Sequence, residues 1–105
     1  MADRGEYTLV GRVRFIGTEA GGRKTPALAN EYHGQFFFED TDCDAIHKFD
    51  ANETVPFNKE ITEYVWILNP AHLHNIRVGT VYLIREGPHT VAYGQVVALG
   101  PSPGT

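Results

Sequence analysis

At 105 residues, with a formal net charge of −4 and one cysteine, Cys43, the chain has the length of a single domain. These figures exclude an internal disulfide and a generally basic, nucleic-acid-binding body. Hydrophobic residues make up 42% and charged residues 21%, a globular balance able to bury roughly two-thirds of the unfolded surface without a staple.

No apolar stretch approaches the ~18 residues of a membrane span, and Met1 to Glu6 holds no signal-like apolar run. The expectation is a cytoplasmic protein with no membrane partner. Charge is uneven along the chain. Arg12, Arg14, Arg23 and Lys24 come early, and Glu39, Asp40, Asp42 and Asp44 follow.

From Tyr7 to Ile16 the residues alternate, with Tyr7, Leu9, Val13 and Phe15 on one parity and Thr8, Arg12 and Arg14 on the other. This is a strand pattern, and Gly11 within the inward set predicts a bulge or a close backbone approach. Gly17 to Gly34 is a long aperiodic connection, a length that is often functional, with a short turn expected near Thr25 to Asn30. Gln35-Phe36-Phe37-Phe38-Glu39 reads as a strand covered on both faces. Asp40 to Asp44 reads as a turn or bulge, Ala45 to Phe49 as a return strand, and Asp50 to Lys59 as a loop.

Glu60 to Leu68 carries the clearest alternation, with Ile61, Val65 and Ile67 on one face and Thr62, Tyr64, Trp66 and Leu68 on the other. Glu63 shares the inward parity, although a polar residue there more often marks a solvated strand than a general acid. Asn69-Pro70 ends that strand. Ala71 to Gly79 has room for one helical turn. Thr80 to Glu86 and His89 to Leu99 are strands joined at Gly87-Pro88. Six short strands with turn signals between them point to an all-β antiparallel barrel or sandwich. It is expected to span residues 7–99, between tails at 1–6 and 100–105.

Several motifs carry possible chemistry. Gly17 and Gly22 have the spacing of a phosphate loop, but Arg23 stands at the lysine position and Pro26 follows within three residues. The helix such a loop needs is not expected, so no nucleotide site is expected either. Arg23 and Lys24 on this glycine loop can still face a phosphate backbone, or lie on a solvated turn. Asp40-x-Asp42-x-Asp44 opens like a calcium loop, but Ala45 and Ala51 replace the glycine and the bidentate glutamate. His72 and His74 with Cys43 and His47 lack the spacing of a zinc set. Cys43 is expected to be structural, with His47 four positions on.

The run Thr18-Glu19-Ala20-Gly21-Gly22-Arg23-Lys24-Thr25-Pro26, then Gln35-Phe36-Phe37-Phe38, then Thr41-Asp42, resembles the start of domain III of elongation factor Tu. Ile84-Arg85-Glu86-Gly87, with Thr90-Val91 and Gly94-Gln95-Val96-Val97, resembles that domain's final hairpin. Order and spacing hold from about Tyr7 to Leu99, so the chain resembles a free-standing copy of that domain. The resemblance implies a six-stranded antiparallel β-barrel. In the family this domain packs on the GTPase domain, contacts the exchange factor and grips the T-stem backbone of aminoacyl-tRNA. It therefore implies RNA- or partner-binding roles for Arg23, Lys24 and Thr25, with Thr90 and Gly94 nearby.

Against the family pattern, Pro88-His89 replaces Gly-Arg, and Glu39 and Asp40 stand where arginine is common. Lost cations weaken phosphate contacts and their salt dependence, which favours a protein partner over a structured, tRNA-like RNA. The expected function is a non-enzymatic binding module, possessing no cofactor and engaging a partner protein, for instance a translation factor, or structured RNA. Two alternatives are a metal-binding protein or metal-dependent hydrolase using Asp40, Asp42, Asp44 and His47, and a mimic of the parent factor that competes for its exchange factor or GTPase domain.

Overall fold

The computed structural model describes residues 7–69 and 75–100. The strands are β1 (Leu9–Phe15), β2 (Gln35–Phe38), β3 (Thr41–Cys43), β4 (Ala45–Phe49), β5 (Glu60–Ile67), β6 (Val81–Glu86) and β7 (His89–Leu99). They form one antiparallel sheet in the order β3-β2-β6-β7-β1-β5-β4. Among the described residues there is no α-helix, only a 3₁₀ turn at Thr18–Ala20. None of their helices is long and apolar enough to cross a membrane.

The sheet has seven strands rather than the expected six, and the extra one is β3. The turn expected over Asp40 to Asp44 is confined to Glu39 and Asp40, whose φ angles are 50° and 61°. Phe38 pairs directly with Thr41 across it, so β2 and β3 form a tight two-residue hairpin. Such turns favour Asn-Gly, and Glu-Asp gives no sequence signal for one.

Asp44 alone separates β3 from β4, yet these two strands occupy opposite edges of the sheet. One residue cannot bridge a flat sheet of this width. The sheet therefore curls into a half-barrel whose edges approach each other at Asp44. The chain from Ala27 to Tyr32 first bonds to Glu53 and Val55 and then runs along β4, closing that side. Phe49 N–H donates to Ala29 O at 2.7 Å, and Tyr32 and His47 exchange both backbone bonds at 2.9 and 2.7 Å. In the long connection Leu28 and Tyr32 form single bridges to Thr54 and His47, and the backbone bends at Thr25 and at Ala29 and Asn30, within the stretch where a short turn was expected.

Alternation drives the packing. β1 buries Leu9, Gly11, Val13 and Phe15 and exposes Arg12 and Arg14. The core adds Phe36, Phe49, Val65, Ile84, Val91 and Val96. Phe15 packs edge-on against Tyr32 and Phe49, with ring centroids 5.8 and 5.4 Å apart. At Gly11 both expected features occur. The β1–β7 register shifts between Val10 and Gly11, and a Cβ at Gly11 would lie 1.9 Å from the Tyr82 hydroxyl. Gly94 faces the same ring from β7, where a Cβ would lie 2.6 Å from it. The two glycines leave room for one tyrosine.

Of the expected helical turn at Ala71 to Gly79, residues 71–74 lie outside the described residues, as do His72 and His74 of the zinc reading and both expected tails apart from Gly100. The described remainder is a turn closed by Thr80 N–H donating to Arg77 O at 3.0 Å.

Candidate functional site

Two side-chain constellations stand out, one sealed inside the half-barrel and one open at its end. Inside, His47 of β4 faces Glu63 of β5, with Nδ1 2.7 Å from Oε1 and neither side chain exposed. His47 Nε2 lies 2.9 Å from Gly34 O. A carbonyl only accepts, so Nε2 carries a proton. Tyr82 of β6 donates its hydroxyl to Glu63 Oε2 at 2.6 Å. β6 and β5 are separated in the sheet by β7 and β1, so this bond crosses the interior. Burial, the Glu63 charge and its hydrogen bond push the Tyr82 phenol well above its ordinary pKa.

Every side-chain polar atom of this trio has a partner, as buried polar groups require. No face of the His47 ring is left for a solute. The trio is an internal strut, and its signal was present in part, because Glu63 shares inward parity with Val65 and Ile67.

At the open end, the loop carrying Arg23 meets the β6–β7 hairpin. Arg23 Nη1 and the Tyr32 hydroxyl both donate to Glu86 Oε2. Arg23 Nε donates to Thr25 O at 3.0 Å, and its guanidinium lies 5.4 Å from the centre of the Tyr32 ring. Thr18 Oγ1 donates to Arg23 O at 2.6 Å. The phenol of Tyr32 is raised in pKa, first by burial and then by its hydrogen bond to Glu86 and that group's charge. The hairpin itself turns at Gly87, φ 62°, followed by Pro88. A type II′ turn needs such a glycine first, and the fixed φ of proline suits its second position.

Beside this clasp lies an open cleft of about 330 Å³ lined by Tyr32, His33, Gly34, Gln35, Arg85, Glu86 and Gly87. Arg85 lies over the Phe37 ring at 4.3 Å, and its Nη1 is 3.9 Å from Asp42 Oδ1. Its Nε is buried with no hydrogen-bond partner, which leaves the cleft wall one unsatisfied donor. On the rim, His33 Nε2 lies 2.7 Å from Glu31 Oε2.

Of the candidate residues, Arg23, Lys24 and Thr25 sit together on the clasp loop, with Lys24 and Thr25 exposed. Thr90 is half-buried at the start of β7, paired with Arg85. The loop and the hairpin are therefore neighbours. Gly94 lies apart from them, buried beneath Tyr82. Asp40, Asp42 and Asp44 are exposed, with Gln35 Nε2 donating to Asp44 Oδ1 at 2.9 Å. His47 is inside the core, so it does not join them. Among the described residues no three His, Cys, Asp or Glu side chains gather as a metal site. Cys43 is buried, and its thiol is raised in pKa by burial and by Asp42 and Asp44.

Tyr32 and Arg85 are the site residues that sequence reasoning missed. Tyr32 lies in an aperiodic stretch, where no pattern signals its inward direction. No protein-family model matches the chain.

Proposed function

We propose that the chain is a non-enzymatic binding module of the elongation factor Tu domain III type. On this reading it engages a partner protein, with a translation factor as the first candidate, at the barrel end where the 21–26 loop meets the β6–β7 hairpin. One observation carries it: Glu86 holds Arg23 and Tyr32 together, giving a loop of surface polar groups a fixed shape beside a cleft. Pre-shaped loops bind with less ordering cost. Pairing with Glu86 also offsets the Arg23 charge, which favours protein over phosphate. The acid–base pair His47–Glu63, closed to solvent, supports binding over catalysis.

Capture from a lysate of the source cells tests this. The wild-type chain should retain a defined protein at physiological salt, and the Lys24→Glu, Thr25→Arg variant should lose it. No protein retained by the wild type overturns the reading.

A second reading, structured RNA, is favoured by exposed Lys24 on the clasp loop. It requires a tRNA shift at low salt that weakens steeply as salt rises, and no shift even at low salt would refute it.

A further inference from the structure

The outward face of β6, β7 and β1 combines features found nowhere else among the described residues. Val81 is 64% exposed and Tyr93 49%. With Val97 they place three of the large exposed hydrophobic residues on one face of two adjacent strands. The register sets Val81, Gln95 and Arg12 in one rung, and Leu83, Tyr93 and Arg14 in the next. Side chains in such rungs stand about 5 Å apart. A strip of apolar and aromatic groups is therefore bordered along β1 by two exposed arginines. The Arg12 side chain has no hydrogen-bond or ion-pair partner among the described residues. Arg14 donates one bond, to Asn58 O at 2.9 Å. Of the exposed acids in line with these rungs, Glu60 lies directly opposite Arg14 on β5, while Asp50 lies beyond Thr62 on the Arg12 side and Asp42 beyond Phe37 at the far end of the Leu83 rung.

We infer that this face docks a partner protein through a segment that is acidic and amphipathic, its carboxylates on Arg12 and Arg14 and its apolar side on Val81 and Tyr93. The inference rests on the reading of the chain as a protein-binding module and names a surface distinct from the clasp. Charge complementarity selects the occupant. On a chain of net charge −4, two exposed arginines side by side, Arg12 with no acid directly opposite and Arg14 facing Glu60 without an ion pair among the described residues, are a local exception that an acidic segment satisfies. Arginine and tyrosine are the residue types that anchor interfaces, and a contiguous exposed apolar strip marks them. A single nucleic-acid strand fits less well. It needs several accessible aromatic platforms, whereas Val81 and Val97 provide none, Tyr93 is the one exposed aromatic residue of the strip among the described residues, and the neighbouring rings of Tyr64 and Trp66 are half-buried against Tyr7.

The test places a photo-crosslinking amino acid at Val81 in the full chain, in lysate of the source cells, and sequences the attached peptide. The expected product is a segment of another protein with net negative charge and apolar residues. Its yield should fall at least ~10-fold in the Arg12→Glu, Arg14→Glu variant, the loss expected for reversing charge at a complementary contact, while the melting temperature stays near wild type. Attachment to a second copy, to nucleic acid, to a neutral or basic segment, or to nothing overturns the inference. The same probe at Lys24 separates the two readings. A partner attached at Lys24 alone leaves the binding-module reading standing and removes this surface, and no partner at either position removes both.

Discussion

The His47 imidazole and the Glu63 carboxylate meet 2.7 Å apart with no solvent exposure on either side. Because Phe49 pairs with Glu63 and His47 with Val65, the two residues are diagonal neighbours on the inner face of adjacent strands. Gly34 and Tyr82 complete the cluster from β2's entry and from β6. The strut therefore ties together segments that the curl of the sheet brings face to face. One proton lies between Nδ1 and Oε1, and the stability of the arrangement depends on keeping every donor matched to an acceptor.

That matching distinguishes two substitutions of Glu63. Glu63→Leu strands the Tyr82 hydroxyl and the His47 ring, and unfolding in urea should show a loss on the order of 3–5 kcal/mol. Glu63→Gln retains an oxygen for Tyr82 and offers an amide N–H to Nδ1, so its cost should be about 1 kcal/mol. Equal losses for the two variants would mean that an ion pair, rather than hydrogen-bond matching, holds the strut.

The contact between Gly11 and Tyr82 gives a double-mutant cycle. Gly11→Ala puts a methyl group 1.9 Å from the hydroxyl and should cost about 1–3 kcal/mol through overpacking. Tyr82→Phe removes the clashing oxygen along with the bond to Glu63. In that background Gly11→Ala should cost less, with a coupling of about 1 kcal/mol or more. Strict additivity would show that the backbone at the β1 bulge absorbs the methyl group by itself.

Much of this architecture was legible in the residues. Inward parity picked out Leu9, Val13, Phe15, Val65 and Ile67, and Gly11 announced its close approach. The clasp loop was found through its glycines and cations. Two things were not legible, for physical reasons. The turn lies at Glu39 and Asp40, both at positive φ, and glutamate rarely adopts that conformation, so the turn signal was read over Asp40 to Asp44 and hid β3. Tyr32 and Glu86 lie 54 positions apart, and no local pattern reports a contact set by how the sheet curls.

Three buried acids, Tyr32, Tyr82 and Cys43, all have raised pKa values in the folded chain. Raised values mean that the unfolded chain loses these protons first as pH climbs. Stability contributed by the protonated groups is full below the ordinary values of 9.0 for the thiol and 10.0 for the phenols, and declines above them. Urea midpoints measured from pH 8 to 11 should fall steadily beyond pH 9. Phenolate absorbance of Tyr32 and Tyr82 should appear only with unfolding, and Cys43 should resist a thiol reagent until then. Rapid native-state labelling of Cys43 would contradict the burial on which this rests.

The Glu39-Asp40 turn holds two non-glycine residues at φ 50° and 61°. Replacing them with Asn-Gly supplies the pair that a two-residue hairpin prefers. The left-handed conformation costs an ordinary residue roughly 1–2 kcal/mol, and loss of the Asn75 Nδ2 bond to Glu39 Oε1, 3.1 Å, offsets part of the gain. A net stabilisation of about 1 kcal/mol is expected in thermal melts. A variant less stable than wild type would show that the Asn75 contact outweighs the backbone strain.

Glu86 decides how much of the Arg23 charge is available. It accepts from both Arg23 and Tyr32, while Arg23 is also held by Thr25 O at 3.0 Å and by the Tyr32 ring. Glu86→Gln removes the opposing charge and leaves those other contacts, so Arg23 stays on the loop as an uncompensated cation. Because the pair is partly exposed, with Glu86 38% accessible, global stability should change little. If the barrel end binds structured RNA, the variant should bind tRNA more tightly than wild type. Its log affinity should depend on log salt with a slope steeper by about 0.7–0.9, the signature of one added phosphate contact. Filter binding from 50 to 200 mM salt measures both quantities together, a range over which phosphate-driven affinity changes steeply. An unchanged slope would remove Arg23 from the RNA contacts and leave the clasp as a shape-setting element for a protein partner.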